Sequence, residues 1–503
     1  MATEPNKKLS IAFIHPDLGI GGAERLVVDA ALGLQEQGNE VIFYTSHCDK
    51  NHCFEEIKDG TLKFQVIGDQ LPTTLGGKFY IVFANLRQLY LTFKLLFTKE
   101  AKKHDVFIVD QLSTCVPFLH KYTTADILFY CHFPDQLLAS RTNIIKKLYR
   151  VPFDLLEQFT ISAADMVVVN SNFTKSMYYS AFNLLQNEPD VVYPCVDLDF
   201  SPIDQRDKQL LGHLLAPNDK FYLSINRYEL KKNIVLALKA FALSNEFSND
   251  NAKLIICGGY DERVSENVQC LKQLQREAEC LKISYSTINY PEFEKNNDLD
   301  LFNTTHSKVI FLTSISTSLK ELLLSKTELL LYTPSNEHFG IVPLEAMKHG
   351  KPVLATTSGG PLETVETLIP GKNDNIATGW LRAPIPEVWA KVIDESKRYK
   401  EGGKSKFENS GPSRVSRIFS RRTMTRSLED IIDKMLWRKR TVYPWETVIG
   451  PFFNLMLQFI FTKLFPGSNW PYILLATVAL LMKDYMSLIY WVFAYSTLNF
   501  FIE

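Results

Sequence analysis

The feature that most constrains the fold is an alternation of short apolar segments with helical stretches, which starts twice along the chain. The first series comprises residues 11–14, 41–45, 106–109, 127–131, 166–170 and 191–193. The second comprises residues 221–225, 253–257, 309–312, 328–332 and 352–355. Short buried strands separated by helices are typical of a parallel sheet covered by helices on both faces. The sequence therefore predicts an α/β protein with two doubly wound, Rossmann-like domains.

The length of the chain agrees with this division. A chain of 503 residues is too long for one ordinary hydrophobic core. Pro202 and mixed charges interrupt the periodicity between residues 197 and 209. We expect domains at 1–200 and 201–410, a crossover helical segment at 411–446 and a hydrophobic tail at 447–503. Ligands of such sheets bind beyond the carboxyl ends of the strands, so we expect the two domains to face a cleft that holds the site.

The tail differs from the rest of the chain. Residues 447–462 and 470–482 carry no charge, and residues 485–502 form a run of 18 uncharged residues, close to the lower length for a bilayer span. Lys483 and Asp484 separate the last two runs, which favours a hairpin or two tilted membrane-associated segments over one long helix. A buried pair of soluble helices is the alternative. The basic residues 438–440 before the tail indicate a catalytic body on the cytosolic side.

A second apolar stretch, residues 79–98, is interrupted by Arg87 and Lys94. These cations are seven residues apart and therefore share one face of a helix. The pattern favours an amphipathic helix that lies in the membrane interface over a transmembrane span.

Composition excludes several classes of protein. The net charge of −1 gives no electrostatic basis for binding nucleic acid. Eight cysteines are scattered without a framework, as expected for reduced thiols. Two His-Cys pairs, at 47–48 and 52–53, lie in one short polar loop, and no clear second half completes a closed four-ligand zinc site. We therefore expect no metal. The apolar run 9–14 is too short for a signal peptide, and we expect no cofactor.

Two glutamates, Glu337 and Glu345, bracket a seven-residue interval that contains Gly340 and runs into a helix, and we expect Glu345 at the start of that helix. The loop follows a predicted strand, so its backbone N–H groups gather at a helix N-terminus, where hydroxyls and anions bind readily. A capped surface helix is the alternative. The following stretch, 350–363, supplies another buried strand that ends in a glycine turn. This continuation favours a ligand site.

Basic residues end the first strand of the second domain. Arg227 and Lys232 are five residues apart, and a departing diphosphate needs fixed positive charge of this kind. An exposed basic turn is the alternative, and Lys231 is a less favoured substitute for Lys232.

Three further strand ends carry candidate residues. Gly21 and Gly22 follow the first strand and open a helix, Gly258 follows a strand of the second domain, and His132 follows the strand 127–131. Glycines permit close backbone approach by a phosphate or sugar. A lone histidine is usually structural, but one at the carboxyl end of a sheet strand is placed to reach the ligand.

Taken together, these motifs resemble those of the retaining glycosyltransferases of the GT-B fold, over about residues 9–435. With the segments 14–19, 131–135 and 193–197 and the hydrophobic tail, they look like the dolichol-pathway alpha-1,3/1,6-mannosyltransferases of asparagine-linked glycosylation. The resemblance assigns catalysis to Glu337, His132, Arg227 and Lys232. Its donor-binding residues are Gly21, Gly22, Arg227, Lys232, Gly258, Glu337, Phe339, Gly340, Ile341 and Glu345.

The same resemblance implies the reaction and its partners. GDP-mannose would be the donor and Man-GlcNAc₂-diphosphodolichol the acceptor, which would receive an alpha-1,3 and then an alpha-1,6 mannose on the cytosolic face of the endoplasmic reticulum. The domain at 1–200 would bind the acceptor and the domain at 201–410 the nucleotide sugar. Membrane lipid and other early N-glycosylation transferases are the further partners expected. Two alternatives stay open: another membrane-associated retaining glycosyltransferase with a UDP-sugar donor, and a non-catalytic scaffold of a glycosylation complex.

Overall fold

The computed structural model describes residues 8–139, 144–185, 187–296, 298–401, 404–405, 407–438 and 440. These residues pack into two compact units. The first contains the chain up to Val169, Met177–Asp190 and the described residues from Thr425 onward. The second contains Asn170–Ser176 and Val191–Met424.

The first sheet has seven strands. They are β1 (Ser10–Asp17), β2 (Glu40–His47), β3 (Lys63–Val66), β4 (Val106–Asp110), β5 (Asp126–Cys131), β6 (Met166–Val169) and β7 (Asp190–Val191). Their order in space is β3-β2-β1-β4-β5-β6-β7, and the pairings from β3 through β6 are parallel. Successive strands are thus added on one side of β1 as far as β3 and on its other side from β4 onward, so the strand order reverses between β1 and β4. Ligands of doubly wound sheets bind at such a switch point.

The second sheet repeats this arrangement. Its strands are β8 (Lys220–Ile225), β9 (Ala252–Gly258), β10 (Tyr285–Asn289), β11 (Val309–Thr313), β12 (Leu330–Tyr332), β13 (Val353–Thr356) and β14 (Gly379–Arg382). They lie in the order β10-β11-β9-β8-β12-β13-β14, and every neighbouring pair is parallel. The prediction of two doubly wound, Rossmann-like domains is confirmed.

Helices connect the strands. They are α1 (Gly22–Glu36), α2 (Glu55–Lys58), α3 (Tyr80–Phe97), α4 (Val116–Tyr122), α5 (Asp135–Leu138), α6 (Ile144–Ser162), α7 (Asn172–Ala181), α8 (Gln205–Leu214), α9 (Val235–Leu243), α10 (Ser265–Cys280), α11 (Tyr290–Lys295), α12 (Thr317–Lys326), α13 (Ile341–Lys348), α14 (Pro361–Thr364), α15 (Pro386–Ser396), α16 (Ser410–Ile418) and α17 (Arg421–Trp437). Short 3₁₀ helices occupy Glu100–Lys103, Leu230–Lys232, Asn245–Ser248, Leu299–Phe302 and Lys397–Tyr399. A small antiparallel pair joins β15 (Lys400–Glu401) to β16 (Lys404–Ser405).

The core of the second unit explains why its central strands read as unbroken apolar runs. In β8, Phe221 and Leu223 pack into the cluster on one face of the sheet, whereas Tyr222 packs into the cluster on the other. In β9, Ile255 and Ile256 divide between the same two clusters. Because helices cover both faces, successive side chains are all buried and no polar alternation appears.

Three strands of the two seven-stranded sheets were not predicted from the sequence: β3, β10 and β14. All three lie at a sheet edge, and their side chains are partly exposed. An edge strand that is half solvated has no continuous apolar run to mark it. The predicted strand at 191–193 is also shorter than expected, since the ladder is limited to Asp190–Val191.

Helix α3 occupies the predicted stretch 79–98, but the expected cationic face is wrong. Arg87 is buried, and its guanidinium donates to Gly68 O at 3.1 Å, to Ser46 O at 2.9 Å and to Asp69 Oδ1 at 2.8 Å. Lys94 is exposed. Arg87 is therefore part of the interior of the first unit because backbone carbonyls and a carboxylate satisfy its charge.

The exposed side of α3 is instead largely apolar. Its exposed large apolar side chains, with that of the residue preceding the helix, are Phe79, Tyr80, Leu86, Tyr90 and Phe97. Within the described part of the chain, no helix combines the length and apolar character that a membrane crossing requires. The tail predicted at 447–503 lies outside the described residues.

Candidate active site

The loop between β12 and α13 carries the glutamate motif of the second unit. Gly340 precedes the helix with φ = 85°, in the left-handed region that favours glycine. A Cβ there would also lie 3.1 Å from the Tyr332 ring. Helix α13 begins at Ile341, and the N–H groups of a first helical turn have no carbonyl partner within the helix. They suit hydroxyl or phosphate oxygens.

Phe339 contributes to this loop through its backbone alone. Its side chain is buried, and its ring lies 5.9 Å from that of Tyr193. A second aromatic contact, with Phe419 at 5.8 Å between ring centroids, fixes the same residue from another side. The apolar anchor thereby holds the backbone amide of the loop in place.

The glycine turn after β13 supports the glutamate loop directly. Gly360 N donates to Glu337 O at 2.7 Å, and a Cβ on Gly360 would collide with Phe339 O. Gly359 has φ = 69°, and a Cβ there would lie 2.5 Å from Glu337 O. Two consecutive glycines therefore allow the two loops to touch backbone to backbone.

Lys232 reaches Glu337 across the carboxyl edge of the second sheet. Lys232 Nζ donates to Glu337 Oε2 at 2.7 Å, a short charge-assisted hydrogen bond. Thr333 Oγ1 donates to Lys232 O at 2.7 Å, which fixes the backbone of the lysine to the end of β12. The predicted cation and carboxylate thus meet in one place.

Arg227 is placed differently. Its side chain is 67% exposed, and its Nη1 lies 3.3 Å from Glu229 Oε1. Lys231 Nζ lies 3.2 Å from the other oxygen of Glu229. Of the three predicted cations, Lys232 is the one that contacts the glutamate loop, whereas Arg227 and Lys231 are exposed and contact Glu229.

Gly258 allows the ends of β8 and β9 to approach one another. It has φ = 154°, and a Cβ there would collide with Asn226 O. A Cβ on the next residue, Gly259, would lie 3.3 Å from Arg227 Cγ. The glycine pair therefore permits close packing of the two strand ends beside the Arg227 side chain.

Glu345 was expected at the start of the helix, and this detail is wrong. Helix α13 begins four residues earlier, at Ile341. Glu345 Oε1 accepts from Lys320 Nζ at 2.8 Å, and its Oε2 is buried with no hydrogen-bond partner among the described residues. Although burial alone would lower the pKa of Lys320, attraction to Glu345 raises it. The contact with Lys320 uses one carboxylate oxygen of Glu345 and leaves the other to accept a further hydrogen bond.

His132 belongs to a buried cluster in the first unit. Its Nε2 lies 2.8 Å from Asp110 Oδ2, at the end of β4. Both oxygens of Asp110 also lie 2.9 Å from His15 Nδ1, at the end of β1. The three residues lie at or next to the carboxyl ends of the neighbouring parallel strands β1, β4 and β5, and the register pairs Ile14 with Val109. The carboxyl edge of the sheet thus brings them together.

The predicted glycine loop lies beside this cluster. Gly21 precedes α1, and a Cβ there would collide with the carboxylate of Glu24. Glu24 Oε1 lies 3.7 Å from His15 Nε2, an ion-pair distance. Gly22 has open space where a side chain would be. A side chain at Gly21 would thus displace the Glu24 carboxylate, whereas one at Gly22 would meet no neighbouring atom.

Sequence reasoning missed His15, Glu24, Asp110 and Lys320. Asp110 and His15 each carried a usable signal, because a polar residue directly after a buried apolar strand lies at the ligand-binding edge of a parallel sheet. Lys320 and Glu24 carried none, since they are ordinary charged residues within helices whose partners come from distant parts of the chain.

Two family models match the chain, one in each half. "Glycosyltransferase Family 4" matches residues 20–200, and "Glycosyl transferases group 1" matches residues 205–397.

Curated relatives match over nearly the whole length. Alpha-1,3/1,6-mannosyltransferase ALG2 of Saccharomyces cerevisiae is 56% identical over 97% of this chain and 97% of its own. The protein of that name from Kluyveromyces lactis is 50% identical over 99% of this chain and 100% of its own. The Schizosaccharomyces pombe protein of that name is 44% identical over 92% of this chain and 87% of its own.

Solved structures resemble this one in fold. A glycosyltransferase from Rickettsia africae has a TM-score of 0.61 and 16% identity, covering 86% of this chain and 100% of its own. Anabaena Alr3699/HepE in complex with UDP and glucose has a TM-score of 0.58 and 18% identity, covering 85% of this chain and 100% of its own. At these identities the likeness extends to the glycosyltransferase fold alone.

Proposed function

The chain belongs to the family of alpha-1,3/1,6-mannosyltransferases, and we propose that it transfers mannose from GDP-mannose to Man-GlcNAc₂-diphosphodolichol with retention of configuration. It is an alpha-1,3/1,6-mannosyltransferase of N-glycan precursor assembly. The observation that carries the donor assignment is the hydrogen bond between Lys232 and Glu337. It joins a fixed cation to a carboxylate beside a helix N-terminus, the groups that a sugar diphosphate requires.

The glutamate loop is the proposed binding site for mannose. The Glu337 carboxylate can accept from sugar hydroxyls, and the backbone N–H groups of Phe339, Gly340 and Ile341 can donate to them. Glu345 is assigned to the ribose diol. The buried oxygen of Glu345 that has no hydrogen-bond partner among the described residues supports this assignment, because a buried acceptor without a partner is destabilising until a ligand hydroxyl donates to it.

Charge neutralisation is the proposed task of the two basic residues. As the bond between mannose and GDP breaks, negative charge develops on the diphosphate. Lys232, already held at the sheet edge, and Arg227, which is long and exposed, can stabilise that charge. These cations and the start of α13 supply the positive charge at this step, so we expect transfer to continue in the presence of a chelator. His132 is proposed to position the sugar and not to act as a covalent nucleophile.

The location of the enzyme is part of the proposal. We place the body on the cytosolic face of the endoplasmic reticulum, with residues 447–503 as the membrane attachment. Exposed apolar residues support a lipid-facing side on the first unit. On α6 they recur on one face, at Ile144, Leu148, Val151, Leu155 and Phe159. The Phe79 ring lies 6.1 Å from that of Tyr149 on α6, which places the start of α3 beside this helix.

One donor site is proposed to serve both linkages. Glu337→Ala should therefore abolish the alpha-1,3 and alpha-1,6 transfers together. The test supplies purified protein with GDP-mannose and, separately, the monomannosylated and dimannosylated lipid-linked acceptors, and resolves the products by mass and linkage. Glu387→Ala, an exposed glutamate on α15, is the matched control and should transfer normally.

Each outcome has a clear meaning. Survival of one transfer at a near wild-type rate in Glu337→Ala would contradict the single site. Competition with UDP-sugars tests the donor: transfer of a UDP-sugar in preference to GDP-mannose by the wild-type protein would contradict the donor assignment. Absence of any transfer by the wild-type protein would favour the scaffold.

A further inference from the structure

The cluster around His132 contains a second histidine that no step of the proposed reaction uses. His15 is fully enclosed at the end of β1, and Asp110 lies between the two imidazole rings. The contacts form a line: His132 Nε2 to Asp110 at 2.8 Å, Asp110 to His15 Nδ1 at 2.9 Å, and His15 Nε2 to Glu24 at 3.7 Å. One buried ring therefore contacts two carboxylates.

The charges of this line follow from its contacts. Burial alone would lower the pKa of His15, but attraction and hydrogen bonding to Asp110, with a smaller effect of Glu24, raise the pKa to about 10. Burial alone would raise the pKa of Asp110, but His15, and then His132, hold it below its usual value. At neutral pH the cluster therefore contains a buried imidazolium beside an ionised carboxylate.

An ionised Asp110 determines which nitrogen of His132 carries a proton. A carboxylate has no proton to donate, so its contact with His132 Nε2 requires that nitrogen to be the donor. The carboxylate thereby fixes both the ring orientation and the tautomer, as second-layer carboxylates do for other functional histidines. Should Asp110 become protonated, it could donate to Nε2 instead, and the opposite tautomer would form.

His15 also reaches the glycine loop. The carboxylate of Glu24, which His15 attracts, fills the space beside Gly21. The titratable groups that face His15 are thus Glu24 from α1 and Asp110 from β4, with His132 and Cys115 next to Asp110. The imidazolium of His15 is thus linked to His132 through Asp110 and to the glycine loop through Glu24.

We propose that His15 is a positioning residue of the transfer reaction, which acts through Asp110 to fix the ring and the proton-bearing nitrogen of His132. The inference rests on the proposed function, because that function places His132 beside the transferred sugar. His15 itself is enclosed and touches no substrate. Its effect is expected in turnover and in the pH dependence of turnover more than in the binding of the donor.

The test compares full-length wild-type protein with His15→Gln, using GDP-mannose and each lipid-linked acceptor. We expect kcat to fall on the order of 10- to 100-fold, as for a misplaced catalytic group, with KM for GDP-mannose nearly unchanged. Without the imidazolium, burial raises the pKa of Asp110. The acid limb of the kcat profile should therefore move to higher pH by roughly one unit or more.

His104→Gln is the matched control. His104 is a partly buried histidine at the opposite end of the same sheet, where its ring contacts Ser10 Oγ at 2.9 Å and Tyr44 OH at 3.0 Å. Its substitution can lower thermal stability, but it should leave the acid limb unchanged. A shift in both variants would indicate a general structural effect and overturn the proposal.

Asp110→Asn provides a second variant of nearly the same shape, which decides the question if His15→Gln does not fold. Its amide can donate to His132 Nε2, so kcat should fall while KM for GDP-mannose changes little. Normal kcat in Asp110→Asn, or normal kcat and an unchanged acid limb in folded His15→Gln, overturns the positioning role. Failure of the wild-type protein to transfer mannose would instead overturn the proposed function, which the same assay shows separately.

Discussion

Lys232 and Glu337 are 105 positions apart in the chain and 2.7 Å apart in space. If Lys232 stabilises the departing diphosphate, Lys232→Ala should lower kcat by about 10²-fold and weaken donor binding less. Lys231→Ala should have little effect, because Lys231 is exposed and paired with Glu229. Steady-state kinetics with GDP-mannose in both variants checks this prediction. A large loss in Lys231→Ala with normal turnover in Lys232→Ala would reverse the assignment of the two lysines.

The residue scale also shows where sequence reasoning ends. Glu337, Lys232 and Gly340 could be found because each lies at the end of an apolar strand or the start of a helix, where position implies access to a ligand. The enclosure of His15 between Asp110 and Glu24 could not, because it depends on the spatial order of β1 and β4. The sequence pattern predicts where each strand ends, but it does not predict which strands lie side by side in the sheet.

At the scale of elements, the two cations of α3 have different surroundings although they are seven residues apart on one helix. Arg87 is buried among two carbonyls and a carboxylate, whereas Lys94 is exposed. Arg87→Ala should lower the free energy of unfolding by on the order of 3 kcal/mol, since it leaves the buried carbonyls of Ser46 and Gly68 without their donor. Lys94→Ala should change it by less than about 0.5 kcal/mol. Thermal or denaturant unfolding of the two variants measures the difference, and equal stabilities would contradict the structural role of Arg87.

The same helix explains why an amphipathic pattern alone was misleading. Seven-residue spacing places two side chains on one face, but it does not say which face is solvated. In α3 the buried side contains Arg87, Gln88 and Thr92, so polar side chains point inward while Tyr80 and Tyr90 are exposed. Central strands were predictable because both of their faces are buried, and edge strands were not.

At the scale of the whole molecule, each unit has its own sheet and its own buried apolar side chains among the described residues. Removal of residues 446–503 should therefore leave a folded body that melts cooperatively. Binding to lipid vesicles should weaken but persist, because the exposed apolar residues of α3 and α6 remain. Co-sedimentation with vesicles measures this, with Tyr80→Ser and Tyr90→Ser in the truncated body as the comparison. A truncated body that stays wholly in the supernatant, with or without these changes, would contradict a lipid-facing role for α3.

The division of the chain between the two units sets the order in which they can be finished during synthesis. The second unit ends at Met424, whereas the first unit, begun earlier, also needs the residues from Thr425 onward. A Cβ on Gly33 would collide with the Thr425 side chain, and Leu428, Ile431 and Ile432 of α17 are buried. A nascent chain released before residue 437 thus leaves an apolar groove open on the first unit. The domain that starts first is therefore the last whose apolar core can be completed.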